Sequence, residues 1–131
     1  MGINAATDVT GFSLLGHALE MARGAGLGLS LFVDSLPEIP GAREMLEAGI
    51  APGATDRNLA HFGGDVDWAE DVSEIDRKLI GDPQTSGGLL LAVAPAKLAA
   101  LQAALREHGA LAAAVVGELT ADTTTRVRRS R

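Results

Sequence analysis

ATDVTGFSLLGH, Ala6–His17, sets how this 131-residue chain is read. A carboxylate (Asp8), two hydroxyls (Thr7, Thr10) and a glycine (Gly11) stand just before an apolar-periodic run. Phe12, Leu15, Leu19 and Ala22 recur at helical spacing. The pattern predicts a helix over about Gly11–Arg23 that stops at Gly24 or Gly26, with Thr10 as N-cap. Gly2–Ala6 reads as the end of a strand or an extended lead-in. Asp8 then projects from a turn that feeds a helix N-terminus. Such an end carries unpaired N–H donors and a partial positive charge, so it suits phosphate. A bare carboxylate there would repel phosphate unless a divalent cation lies between them. Mg²⁺ is the natural bridge, because it is commonly held by one or two carboxylates plus phosphate oxygens. The same residues also serve as ordinary helix caps, and local chemistry alone favours that plainer role.

Outward from this stretch the chain alternates. Leu27–Val33 reads as a strand apolar enough to be buried on both faces. Asp34–Pro37 is a turn, and Pro40–Ala48 a short helix with Pro40 at its first position and Gly49 ending it. Thr55 is placed to cap a helix through Phe62, Gly63–Asp67 reads as a turn, and Trp68 as a packing or short-strand residue. Ser73-Glu74-Ile75-Asp76 resembles a capping box with Asp in place of Glu or Gln, opening a helix that ends near Ile80 or Gly81. The Asp82–Ser86 loop follows, then Gly87–Ala94 as a buried strand. Lys97–His108 is a helix with Leu98, Leu101 and Leu105 on one stripe, opened by Pro95 and closed by Gly109. Ala113–Leu119 reads as a strand, and Thr123–Val127 is expected to pair with it across Ala121-Asp122. The closing RVRRSR, Arg126–Arg131, reads as a solvated tail. Strands separated by helices make this an α/β (α+β) chain.

Composition narrows the function classes. The chain is 47% hydrophobic, so it should fold rather than remain disordered. Only 3% is aromatic, so the core must come from Leu, Val, Ile and Ala. The formal charge of −6 argues against a general nucleic-acid binder, which needs a basic face. It does not argue against a nucleotide site bridged by a cation. With no cysteine, disulfides, thiolate metal sites and a cysteine nucleophile are excluded within the chain. His17, His61 and His108 lack ligand spacing, so no zinc site is expected. No apolar run approaches membrane-spanning length and no signal segment opens the chain, so a soluble cytoplasmic protein with no membrane or nucleic-acid partner is the expectation.

Three segments carry a resemblance. They are TDVTGFSLLGH at Thr7–His17, PGATDRN at Pro52–Asn58 and DPQTSGGLL at Asp82–Leu90. In that order they resemble the TDVTGFGLLGH-like, PGGTxxN-like and DPQTSGGLL-like segments of the selenophosphate synthetase (selenide, water dikinase) family. The resemblance covers essentially the whole chain, as a single domain over 1–131. It implies the C-terminal domain of the aminoimidazole-ribonucleotide-synthetase superfamily, a layered unit with helices packed on a mixed β-sheet.

The resemblance implies roles for particular residues. Asp8 matches a Mg²⁺ ligand that helps hold ATP phosphates. Thr7, Thr10 and Gly11 would shape that turn, and Gln84, Thr85, Ser86 and Gly87 would wall the nucleotide or substrate site. Asn58 reads as a surface hydrogen-bonding residue and His17 as a packed or hydrogen-bonded one. The DPQTSGG loop is not a Walker A loop, since the GxxxxGK[ST] spacing and its Lys are missing. The family reaction makes selenophosphate from ATP, selenide and water. Its reactive Cys or selenocysteine, its Lys and most metal-binding carboxylates belong to an N-terminal half that this sequence does not contain. The expectation is therefore no catalytic residue in this chain and negligible activity alone, with ATP and selenide reached through that other half. The alternative is a non-catalytic nucleotide- or anion-binding domain that needs a partner half. An uncovered apolar face would also favour self-association. Three positions depart from the family pattern: Ser13 and Ala54 stand where Gly is usual, and Gly81 where Cys is frequent.

Overall fold

A computed structural model describes residues 2–131. Strand β1 (Ala5–Asp8) leads through a tight turn into helix α1 (Ser13–Gly24). Strand β2 (Gly28–Phe32) follows, then a 3-10 turn over Val33–Ser35. Helices α2 (Ala42–Glu47) and α3 (Gly53–Phe62) precede the short strand β3 (Val66–Trp68). Helix α4 (Glu74–Gly81), strand β4 (Leu89–Ala92), helix α5 (Pro95–Glu107) and strands β5 (Gly117–Thr120) and β6 (Thr125–Arg128) complete the described residues.

The strands form two sheets. β1 and β4 make an antiparallel pair with Asp8 opposite Leu89 and Thr7 opposite Leu90. The other sheet is mixed and runs β3-β6-β2-β5. β2 is parallel to β6 and antiparallel to β5. Every residue of β2 is buried, Ser30 included, as the expectation of burial on both faces requires. α1 lies against this sheet through Leu15, Ala18, Leu19 and Ala22, which pack with Leu29, Leu31, Val66, Val127 and with Ile80 of α4. Each of the buried leucines is worth about 1.5–3 kcal/mol of transfer free energy. The expected layered α/β architecture, helices on a mixed sheet, is what the chain adopts.

Several local expectations fail for tertiary reasons. Thr10 does not cap α1; the helix begins at Ser13 with no side-chain cap, and the Thr10 hydroxyl turns to His17 instead. Thr55 does not cap α3 either. It sits inside the first turn, fully buried, while Pro52 occupies the cap position. α2 starts two residues after Pro40, because Gly41 takes a left-handed φ of 88°. β4 is shorter than expected and Leu89 is exposed, since the β1–β4 pair has little packed over it. Residues 113–116 are not strand, and β5 does not pair with β6, because β2 lies between them.

The arginine-rich end is not a solvated tail. Arg126 and Arg128 belong to β6, and Arg128 and Arg131 reach Glu118. Arg129 bonds both Asp34 and Asp76. Asp76 is fully buried. It closes the anticipated capping box by accepting from the Ser73 N–H, while the Ser73 hydroxyl accepts from the Asp76 N–H. It also accepts from Arg43 Nη1 at 2.7 Å and Arg129 Nη1 at 2.9 Å. Burial pushes this carboxyl up, but the hydrogen bonds from Arg43 and Ser73 outweigh it and hold it below the usual carboxylate range. One side chain thus ties α2, α4 and the end of β6 together.

Candidate functional site

The three motif segments, far apart in sequence, meet at one place. The turn after β1 and the Asp82–Gly88 loop lie side by side. Val9 N–H donates to the Gly88 carbonyl at 2.9 Å, and Gln84 N–H donates to the Thr10 carbonyl at 3.1 Å. A Cβ at Gly87 would fall 2.0 Å from the Val9 carbonyl oxygen, so only glycine lets the loop lie this close to the turn. The third segment, on α3, sits beneath both. Thr55 Oγ1 donates to Asp82 Oδ1 at 3.1 Å. Asn58 Nδ2 donates to the Gly11 carbonyl at 2.9 Å and to the Gly81 carbonyl at 3.0 Å.

Each candidate residue now has a position. Asp8 ends β1 and is exposed. Among the described residues no side chain hydrogen-bonds or ion-pairs with its carboxylate. Thr7 is half-buried and spends its hydroxyl on the Asp8 carbonyl. The exposed Thr10 holds His17, with Oγ1 and Nε2 2.9 Å apart, as the hydrogen-bonded reading of His17 anticipated. Gly11 is exposed, and its carbonyl is taken by Asn58. Gln84 folds its amide back onto Asp82. Thr85, Ser86 and Gly87 are exposed along the loop. An open groove of about 420 Å³ lies between β1 and the flank of α1, lined by Ala5, Thr7, His17, Glu20 and Met21 among others and by neither Asp8 nor the turn after it.

The donor set bears on a cation. Both oxygens of Asp82 are engaged by Thr55 and Gln84, which makes Asp82 a loop brace. Asp8 is then the free carboxylate of the turn. Among the described residues no cluster of three or more His, Asp or Glu side chains could hold a metal ion. One hard carboxylate fits a Mg²⁺ whose remaining ligands are phosphate oxygens and water, with any further carboxylate coming from elsewhere.

Asn58 is the residue that sequence reasoning undervalued. It is buried rather than on the surface. Its spacing from Thr55 held a signal, since residues three apart share one helix face. Nothing local shows what that face meets.

Residues 1–130 match the family described as AIR synthase related protein, C-terminal domain. The chain belongs to this family. Its relatives include the selenide, water dikinase of Cronobacter sakazakii, 48% identical over 118 residues, 90% of this chain and 33% of that protein. The selenide, water dikinases of Burkholderia pseudomallei and Rhizobium meliloti are 44% and 45% identical, over 90% and 91% of this chain and 33% and 34% of theirs. The chain is thus homologous to the C-terminal third of these proteins and spans about a third of their length.

Ser13, Gly81 and Ala54 depart from the motif pattern given above. Ser13 is buried and has a φ of 70°, the left-handed region that favours glycine. The serine is therefore a strained replacement at a position built for glycine. Gly81 lets α4 close on α3, because a Cβ there would lie 2.8 Å from Leu59 Cγ, and a cysteine would require Leu59 to move. Nothing in the structure explains Ala54.

Proposed function

We propose that this chain supplies one wall of the ATP site of a selenide, water dikinase. Asp8 contributes a single carboxylate ligand to the Mg²⁺ that neutralises the ATP phosphates. Thr7, Thr10 and Gly11 shape the turn that presents it, and Gln84, Thr85, Ser86 and Gly87 form the facing loop. The observation that supports this reading is the side-by-side placement of the two motif loops, with the unpaired Asp8 carboxylate at their edge. Phosphoryl transfer depends largely on positioning and charge neutralisation, which suits loops whose backbone is fixed by cross-links. The remaining metal ligands and the reactive groups come from residues outside this chain, so selenide-dependent ATP consumption is negligible without them. A cytoplasmic setting belongs to the same proposal; no described helix is long and apolar enough to cross a membrane.

The test adds this chain to the remaining two-thirds of the Cronobacter sakazakii protein, with ATP, selenide and Mg²⁺, and measures AMP release. The wild-type chain is expected to restore turnover, and Asp8→Asn to lower it at least a hundredfold at unchanged folding by circular dichroism. Equal restoration by Asp8→Asn would remove Asp8 from the metal site. Robust turnover by this chain alone would overturn the shared-site reading.

A further inference from the structure

We infer that Asn58, seconded by Thr55 one helical turn earlier, is a positioning residue that mounts both loops of the candidate site on α3. Both side chains are buried, Thr55 completely. Neither is needed to make α3 helical, since α3 starts at Pro52-Gly53 with no side-chain cap. Their polar groups point instead at the roots of the two loops. The Asn58 amide carries two donors, and each takes a carbonyl from a different loop: Gly11, just beyond Asp8, and Gly81, just before Asp82. Thr55 then holds the Asp82 carboxylate itself.

The arrangement has a geometric consequence. A planar carboxamide fixes the angle between its two N–H bonds, so two carbonyls bonded to one Nδ2 are fixed relative to each other. The spacing of the Gly11 and Gly81 carbonyls sets how the Asp8 turn faces the Gln84–Gly87 loop. The inter-loop bonds Val9 N–H to Gly88 and Gln84 N–H to Thr10 hold the loops together farther out. Those bonds depend on the loop roots being in register. Asn58 touches no ligand in this scheme and acts through Asp8 and the facing loop. Its consequence for binding rests on the proposed nucleotide role of the Asp8 turn; its consequence for loop order does not.

Amide hydrogen exchange on the whole chain tests the mounting. The Val9 and Gln84 amides report the inter-loop contact, and the Phe32 amide, bonded to the Val116 carbonyl, reports the main sheet. Asn58→Ala is expected to speed Val9 and Gln84 exchange at least tenfold relative to Phe32. Val127→Ala, a core truncation in β6, serves as the control for general destabilisation and should not speed Val9 and Gln84 exchange relative to Phe32. An unchanged ratio in Asn58→Ala, or the same change in Val127→Ala, overturns the inference. Should Asn58→Ala fail to fold, Thr55→Val replaces it. Thr55→Val removes only the bond to Asp82 and should speed Gln84 exchange severalfold relative to Phe32; no change would overturn the inference.

Calorimetric titration with Mg²⁺–ATP adds the functional arm. Where the wild-type chain binds, Asn58→Ala should weaken affinity at least tenfold and Val127→Ala by less than twofold; equal binding by Asn58→Ala overturns positioning. Absence of wild-type binding counts against an autonomous nucleotide site at Asp8, and the exchange ratios then decide the mounting on their own.

Discussion

Replacing Asp76 should cost a large fraction of the chain's stability, and the charge-dependent part of that cost should vanish in acid. The carboxylate accepts from Arg43, Arg129 and the Ser73 N–H. A hydrogen bond to a charged group is worth about 1.5–3 kcal/mol when well buried. Here the arginine side chains are 31% and 39% exposed and keep Glu38 and Asp34 as partners, so solvent and those partners take up much of the loss. About 1 kcal/mol for each arginine bond is the reasonable figure. The capping-box bond adds about 1 kcal/mol more. Asp76→Ala should therefore cost about 3 kcal/mol, against a typical total of about 5–15 kcal/mol. Asp76→Asn keeps an acceptor for Ser73 and should cost about 2 kcal/mol. With a urea slope of about 1–3 kcal/mol/M, the midpoint for Asp76→Ala should fall by roughly 1–3 M.

The sign of the pH dependence follows from the depressed carboxyl of the folded state. Its contribution is fully present above the unfolded value of about 3.9 and is lost as pH falls through the lower folded value. The gap between wild type and Asp76→Asn should stay constant from about pH 7 to pH 5 and close below about pH 4. A midpoint change for Asp76→Ala below about 0.3 M, or a wild type–Asn gap that persists undiminished to about pH 2, would refute the reasoning.

Two further substitutions probe the loops. Ser13→Gly should raise stability by about 0.5–1 kcal/mol, because relief of the left-handed backbone exceeds the added entropy of glycine. The Gly16 N–H to Ser13 Oγ contact that it loses is long, at 3.5 Å. Thermal melting should show an increase of a few degrees, and a decrease would mean that the serine is not strained. Gly87→Ala must push the loop off the Val9 carbonyl. It should cost about 2 kcal/mol or more and lose the protection of the Val9 amide, as in overpacked cores; an unaltered exchange rate at Val9 would count against the close approach.

The candidate site was legible in part. The TDVTGF and DPQTSGG segments were read as parts of one site and PGATDRN only as a helix cap and a surface residue, whereas the structure joins all three. What could not be read was the division of labour within them. Thr10 and Thr55 are good N-cap residues by type, yet both hydroxyls are claimed by distant partners, His17 and Asp82. The spacing of Asn58 from Thr55 marked a shared helix face but not what it meets, because the two acceptors of Asn58 are backbone carbonyls, which carry no residue identity.

The sequence by itself determined the elements whose causes are local. The Leu15–Leu19–Ala22 stripe, the Ser73–Asp76 capping box and the buried run of β2 each depend on residues within a few positions of one another. Tertiary structure alone decided the strand order, which places β2 between β5 and β6 rather than leaving them as a hairpin. It also turned the arginine-rich end into a clamp on Asp76 and Asp34, and set Ser13 in a glycine conformation. Those outcomes depend on which surfaces bury each other and which distant partners satisfy a buried polar group, and neither leaves a periodic trace along the chain.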